Sequence, residues 1–212
     1  MENIFKNACF PTLHLFLKLC NKATTGLIVI LFTLGMMPFY AQAAENSDLP
    51  TLINQRLSYM KDVASSKALN HLPVEVLTQE AQVLVDTLKI AASQGIDPVS
   101  IKPFIVAQMD AAKAIQYRYR ADWLSTPETG WQPRPLNEIR AEIARLSAQI
   151  IERLAIELRT NGKISPSDQS EFIARLQQKN LSKADEIQLY KTLLQVRLTK
   201  QPLARADVVI AD

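Results

Sequence analysis

Histidine and cysteine are scarce in this chain of 212 residues, and their positions matter more than their number. Cys9 and Cys20 are the only cysteines and both precede residue 43, while His71 is the only histidine beyond it. Once that N-terminal stretch is set apart, no disulfide can form, no cysteine metal site can be built, and one histidine does not supply a zinc site of the usual kind. Cysteine nucleophiles and Ser-His pairs are close to excluded on the same ground. Glycine is sparse at five residues, and no repeat or low-complexity segment is present, so the chain is neither collagenous nor repetitive. With 24 Lys+Arg against 21 Asp+Glu there is no surplus of one sign from which to build a polyanion-binding stripe. No stretch keeps the apolar and polar alternation of a half-buried strand.

One uncharged run is long: Thr25 to Phe39. It follows a stretch carrying Lys6, Lys18 and Lys22 against Glu2, and Ala41-Gln42-Ala43 comes after it. Positive, apolar and small-x-small regions thus stand in the order of an export signal, and Pro38 with the Ala-x-Ala favours removal over a retained anchor. The expectation is a signal peptide over residues 1–43, cleaved after Ala43. A single domain over 44–212 would then be delivered to the periplasm with no membrane segment left. In that domain cationic and anionic side chains balance to within one charge.

Helical periodicity runs through the rest. Leu52, Ile53, Leu57, Met60, Val63 and Ala64 describe an amphipathic helix of about five turns, stopped at Leu72-Pro73. A second helix covers roughly 76–93 and closes at Gly95. Asp97-Pro98 and Ser100 offer starts for a third; with Ser100 as the cap, Pro103 falls in the first turn, where its missing N–H is not needed. That helix runs to about Ser125. Residues 126–135, with three prolines and one glycine, form a rigid connector. The fourth helix, Leu136 to about Thr160, carries Ile139, Ile143, Leu146, Ile150 and Leu154 in one stripe and ends at Asn161-Gly162. Ser165-Pro166 and Ser182 open two shorter helices, and a frayed tail begins near Gln201. The fold class is all-α, a single-domain bundle of about six helices.

Charge breaks this pattern at informative places. Ile53, Arg56, Met60, Val63 and Lys67 follow the core stripe of the first helix itself. Eleven residues is close to three turns, so both cations point the same way, about 16 Å apart along the axis. One long basic chain can snorkel out of such a stripe, but two of them with no carboxylate alongside imply an external anion, and a dianion fits. On the third helix Gln108, Ala112 and Gln116 fall at i, i+4, i+8 inside an apolar stripe. A buried amide must be hydrogen-bonded, either to backbone or to a ligand. Arg140 borders the Ile139/Ile143 stripe and by itself reads as a surface charge. Arg118, Tyr119 and Arg120 beside Trp123 read as a solvated face with core aromatics rather than a nucleic-acid site.

As a set, these residues resemble a known family. Leu52-Ile53-Asn54-Gln55-Arg56-Leu57, Met60-Lys61-Asp62-Val63-Ala64 and Lys67 come first, then Leu72-Pro73-Val74-Glu75 and Ile96-Asp97-Pro98. With Gln108 to Tyr117 and Asp122-Trp123 they closely resemble the secreted, periplasmic class of monofunctional chorismate mutase in motif order and spacing. The match spans about residues 49–160; the last fifty resemble the class only in being helical. The resemblance implies the all-helical chorismate mutase fold and conversion of chorismate to prephenate, a pericyclic rearrangement with no cofactor, no metal, no covalent intermediate and no proton transfer. Such a site holds a dianion in a compact conformer and stabilises the negative charge that grows on the ether oxygen. By resemblance, Lys67 and Gln116 are the catalytic donors to the ether oxygen, Lys67 also touching a carboxylate. Arg56 and Arg140 grip the carboxylates, Glu80 accepts from the ring hydroxyl, and Gln79 and Ala112 belong to the substrate-binding set. A homodimer with the whole pocket inside each chain is also implied, with no nucleic acid and no membrane among its partners.

The sequence departs from the family pattern at three of these places. Gln79 stands where an arginine is usual, Val76 where a carboxylate would orient that arginine, and Ala112 where Ser or Thr is usual. Losing one charged donor to a carboxylate costs about 1.5 to 3 kcal/mol, enough to weaken binding tenfold or more. The alternative reading is therefore a catalytically weakened helical module that binds a related carboxylate in the periplasm.

Overall fold

The computed structural model describes residues 47–200, and every helix or strand among them is helical. The expected signal peptide and the tail beyond Gln201 lie outside the described residues. The first helix is not one unbroken run: α1 (Leu49–Ser58) and α2 (Met60–Leu69) are separated at Tyr59. The cause is local. Ser58 Oγ donates to the carbonyl of Gln55 at 2.7 Å, the oxygen that the Tyr59 N–H would take in a continuous helix, and that N–H turns to Leu57 instead. Tyr59 keeps right-handed dihedrals (φ −73°, ψ −11°), so helix resumes at Met60. Counting the pair as one interrupted helix, the described residues form a six-helix bundle, completed by α3 (Leu77–Ser93), α4 (Pro98–Ser125), α5 (Leu136–Asn161), α6 (Gln169–Arg175) and α7 (Lys183–Leu193).

The helix ends follow cap chemistry. Asp48 caps α1 by accepting from Thr51 N at 3.0 Å, and Ser182 with Asp185 forms a reciprocal capping box on α7. Gly95 (φ +79°) and Gly162 (φ +76°) follow α3 and α5 in the left-handed conformation that glycine adopts without penalty. At α4 the cap is Asp97 rather than Ser100: its carboxylate accepts from Val99 N at 3.2 Å and Pro98 takes the first helical position. Pro103 consequently lies inside the helix, not in its first turn. The carbonyl it cannot serve belongs to Val99, which is 77% exposed and open to water.

Long α4 is the spine, with α2, α3 and α7 packed around it, while α1 lies along α5. Ile53, Leu57, Ile101, Phe104, Ile115 and Ile150 are among the side chains removed from solvent. Each such burial contributes about 1.5–3 kcal/mol. Helix α3 is the exception: Ala91 is its one fully buried residue, while Val83 and Ile90 remain about 40% exposed. It stands off the core on one side, and a cavity opens there.

Two straps fix the frame. The connector between α4 and α5 places the Trp131 ring 3.6 Å from Lys61 Nζ and the Arg134 guanidinium over Tyr59. Arg134 also holds the buried Asp62 carboxylate through Nε at 2.7 Å and Nη2 at 2.5 Å. At the other end, the segment after α7 pairs with the turn between α3 and α4 through an antiparallel bridge, Ile96 with Leu198. Thr199 N donates to Gly95 O and Asp97 N to Arg197 O, both at 2.9 Å.

Candidate active site

The gap beneath α3 is a cavity of about 360 Å³, within the range of small-molecule sites. Helices α1 and α2 contribute Arg56 and Lys67, α3 contributes Gln79 and Glu80, α4 contributes Ala112 and Gln116, and α5 contributes Arg140. All seven residues that the resemblance assigns to the site therefore line one space, while Gln108 lies outside it. They differ in depth: Arg56, Ala112 and Gln116 are buried, Lys67 and Glu80 half-buried, and Gln79 and Arg140 exposed at the rim. Between them the wall is apolar, with Val63, Val83, Ile90, Met109 and Ile143.

Arg56 is the most telling of the set. The residue is only 8% exposed, and its hydrogen bonds go to neutral acceptors: Nε to Ser147 Oγ at 3.1 Å and Nη1 to Gln108 O at 3.4 Å. Burial without a carboxylate brings its pKa down from the ordinary guanidinium value to about 10. Lys67 is likewise held below its ordinary value, first by desolvation and then by the positive charges of Arg140 and Arg120, with Glu80 opposing. Its ammonium donates to the backbone carbonyl of Val74 at 2.6 Å. Both cations are thus strained in the charged state in a way that an incoming anion relieves. The cavity walls carry Arg56, Lys67, Lys113 and Arg140 against Glu80 and Asp86, a formal surplus of two positive charges.

Gln116 on α4 spends its amide nitrogen on the Ala112 carbonyl at 3.1 Å and the thioether of Met60 at 3.6 Å. The second contact is to a weak acceptor. Its amide oxygen is buried and without a hydrogen-bond partner. Glu80 is held by both oxygens: Oε1 accepts from Val76 N at 3.2 Å and Oε2 from Lys113 Nζ at 3.1 Å. Away from the cavity, Arg118 pairs with Asp185 at 2.6 Å, Arg120 donates to Leu72 O, and Tyr119 stacks on Trp123.

Three groups that matter here were not singled out in the sequence: Ser147, Lys113 and the Val74 carbonyl. Ser147 had a signal, since it lies seven residues after Arg140 on the same face of α5. Lys113 also had one, three residues before Gln116 on α4. The carbonyl had none, because every residue carries one.

Comparison with known proteins gives a consistent set of relatives. The family described as chorismate mutase type II matches residues 44–117. A secreted chorismate mutase from Yersinia pestis is 51% identical over 157 residues, covering 74% of this chain and 84% of that protein. A monofunctional chorismate mutase from Enterobacter agglomerans is 40% identical over 149 residues, covering 70% and 82%. The crystal structure of the secreted chorismate mutase from Yersinia pestis superposes with a TM-score of 0.67 at 51% identity, covering 71% of this chain and 97% of that one.

Proposed function

The chain belongs to the chorismate mutase family and is an isomerase of that kind, and we propose that the cavity beneath α3 is where it rearranges chorismate to prephenate. The reaction is intramolecular: one C–O bond breaks as one C–C bond forms, no proton moves, and no cofactor is needed. A protein accelerates it by holding the reactive conformer and by directing donors at the ether oxygen, where negative charge grows. The observation that carries this reading is Arg56, a buried guanidinium with no carboxylate partner, in a cavity that carries two surplus positive charges. A substrate dianion supplies the missing counter-charge.

In this reading Arg56 and Arg140 take the carboxylates. Lys67 uses one N–H on Val74 O and has two more for the ether oxygen and a carboxylate. Gln116 gives the ether oxygen the N–H now directed at the Met60 sulfur, a weak acceptor that is cheaply released. Glu80 accepts from the ring hydroxyl, Gln79 hydrogen-bonds at the rim, and the small Ala112 leaves room above Gln116. The apolar wall of Val83 and Ile90 covers the ring.

Export to the periplasm is part of the proposal; the charge and apolar order of residues 1–43 supports it, as does the word "secreted" in the Yersinia relative's name. N-terminal sequencing of the periplasmic protein should begin at Ala44. A homodimer with one site per chain completes the reading, and analytical ultracentrifugation tests it.

The deciding experiment incubates purified residues 44–212 with chorismate, follows its ultraviolet absorbance, and identifies prephenate by acid conversion to phenylpyruvate. Saturable turnover that disappears in Lys67→Ala is the expected result. A folded protein that never turns chorismate over would overturn the proposal and leave a carboxylate-binding module.

A further inference from the structure

A carboxylate in a pocket meant for a dianion is an electrostatic liability, and Glu80 lines this one. The structure surrounds it with a specific arrangement. Lys113, on α4, donates to Glu80 Oε2 at 3.1 Å, lies 3.1 Å from Asp110 Oδ1 on its own helix, and reaches Glu75 Oε2 at 3.8 Å in the linker between α2 and α3. Glu75 is held in turn by the Tyr117 hydroxyl at 2.7 Å. The same linker carries the Val74 carbonyl on which Lys67 rests. Desolvation acts against the Lys113 charge, but hydrogen bonds to Glu80 and Asp110 outweigh it and hold the ammonium protonated. The chain Tyr117–Glu75–Lys113–Glu80 therefore stitches α4 to the linker and to the first turn of α3.

We propose that Lys113 is a positioning residue for the reaction: it cancels the Glu80 charge, so that this carboxylate can face a dianionic substrate as a hydrogen-bond acceptor, and it tethers the linker that seats Lys67. This rests on the chorismate reading of the cavity. Lys113 acts through Glu80 and not by touching the substrate.

A double-mutant comparison reads this directly, with KM, kcat and their pH profiles measured for wild type, Lys113→Met, Lys113→Arg, Glu80→Gln and the Lys113→Met/Glu80→Gln pair. The expected result is that Lys113→Met raises KM about tenfold, because Glu80 now repels the substrate. Lys113→Arg restores KM, and the double variant binds as Glu80→Gln does, because no charge is left to cancel. Should Lys113→Met not fold, Lys113→Gln carries the same comparison. An unchanged KM in the single variant would make Lys113 an ordinary surface charge and overturn the proposal. An equal KM loss with Glu80 already neutral would overturn it too, by placing Lys113 on the substrate. Wild-type turnover in the same assay separates both results from a failure of the chorismate reading, which an inactive wild type would overturn along with this inference.

Discussion

Replacing Arg56 by methionine should make the protein more stable and less active at once. The charged guanidinium is disfavoured in the fold by the fall of its pKa from the ordinary guanidinium value to about 10. At 1.36 kcal/mol per unit, that is a penalty of about 3 kcal/mol. Methionine removes it and its flexible stem fills the same channel. Set against this are two hydrogen bonds from a charged donor: the one to Ser147 Oγ at 3.1 Å is charge-assisted and the one to Gln108 O, long at 3.4 Å, adds little, about 2 kcal/mol together. The balance is a gain of about 1 kcal/mol, which for a chain of this size raises Tm by about 2–4 °C. Turnover moves the other way, because a lost charged donor to a carboxylate costs about 1.5–3 kcal/mol, or roughly 10- to 100-fold in kcat/KM. Differential scanning calorimetry and the chorismate absorbance assay measure the two halves on one preparation. A variant that melts several degrees lower while keeping its kcat/KM would refute the reasoning, since the guanidinium would then be a structural strut rather than an anion site waiting to be filled.

Lys67→Ala should abolish most turnover and leave Tm nearly unchanged, because its ammonium has a single backbone contact to lose; an unfolded or fully active variant contradicts that role. In the wild type, kcat/KM should decline as pH rises through the lowered Lys67 value, before 10.5 is reached, since only the charged form holds a dianion. The stability contribution of the same group has the opposite sign: its folded-state pKa is below the unfolded one, so its destabilisation fades as pH climbs toward 10.5, which urea titrations across that window detect. Gln116→Glu should work only with its carboxyl protonated, so its activity falls with rising pH, and a flat profile counts against a donor at this position. Gln79→Arg should lower KM by adding a cation at the exposed rim, and an unchanged KM means that the rim position does not reach the ligand.

Arg56 and Lys67 were legible in the sequence for a definite reason: a cation on an apolar period violates the pattern, and the violation survives the interruption at Tyr59 because the dihedrals there stay helical. The bundle itself was legible because the amphipathic stripes and the Asx, Ser and Gly caps agree with each other. The break at Tyr59 was not, since a serine hydroxyl competing for one carbonyl leaves no mark on periodicity. Choosing between Asp97 and Ser100 as the cap turned on which side chain reaches a free N–H, and the tolerance of Pro103 turned on the exposure of Val99, neither of which a one-dimensional pattern contains. The Ser147 contact to Arg56 spans 91 positions and the Lys113 contact to Glu80 spans 33, so both depend on how helices are phased against one another.

The clasp between the α3–α4 turn and the segment after α7 has a consequence for how the chain is made. Ser100 and its partner Arg197 are 97 positions apart, and the turn they lock emerges long before the segment that locks it. A growing polypeptide therefore carries the roof and spine of the cavity through about a third of its synthesis, from Ser125 to Arg197, without the fastener that joins them. Closure of that frame waits for residues 197–199, so the cavity becomes a fixed shape late although every side chain that lines it is made early.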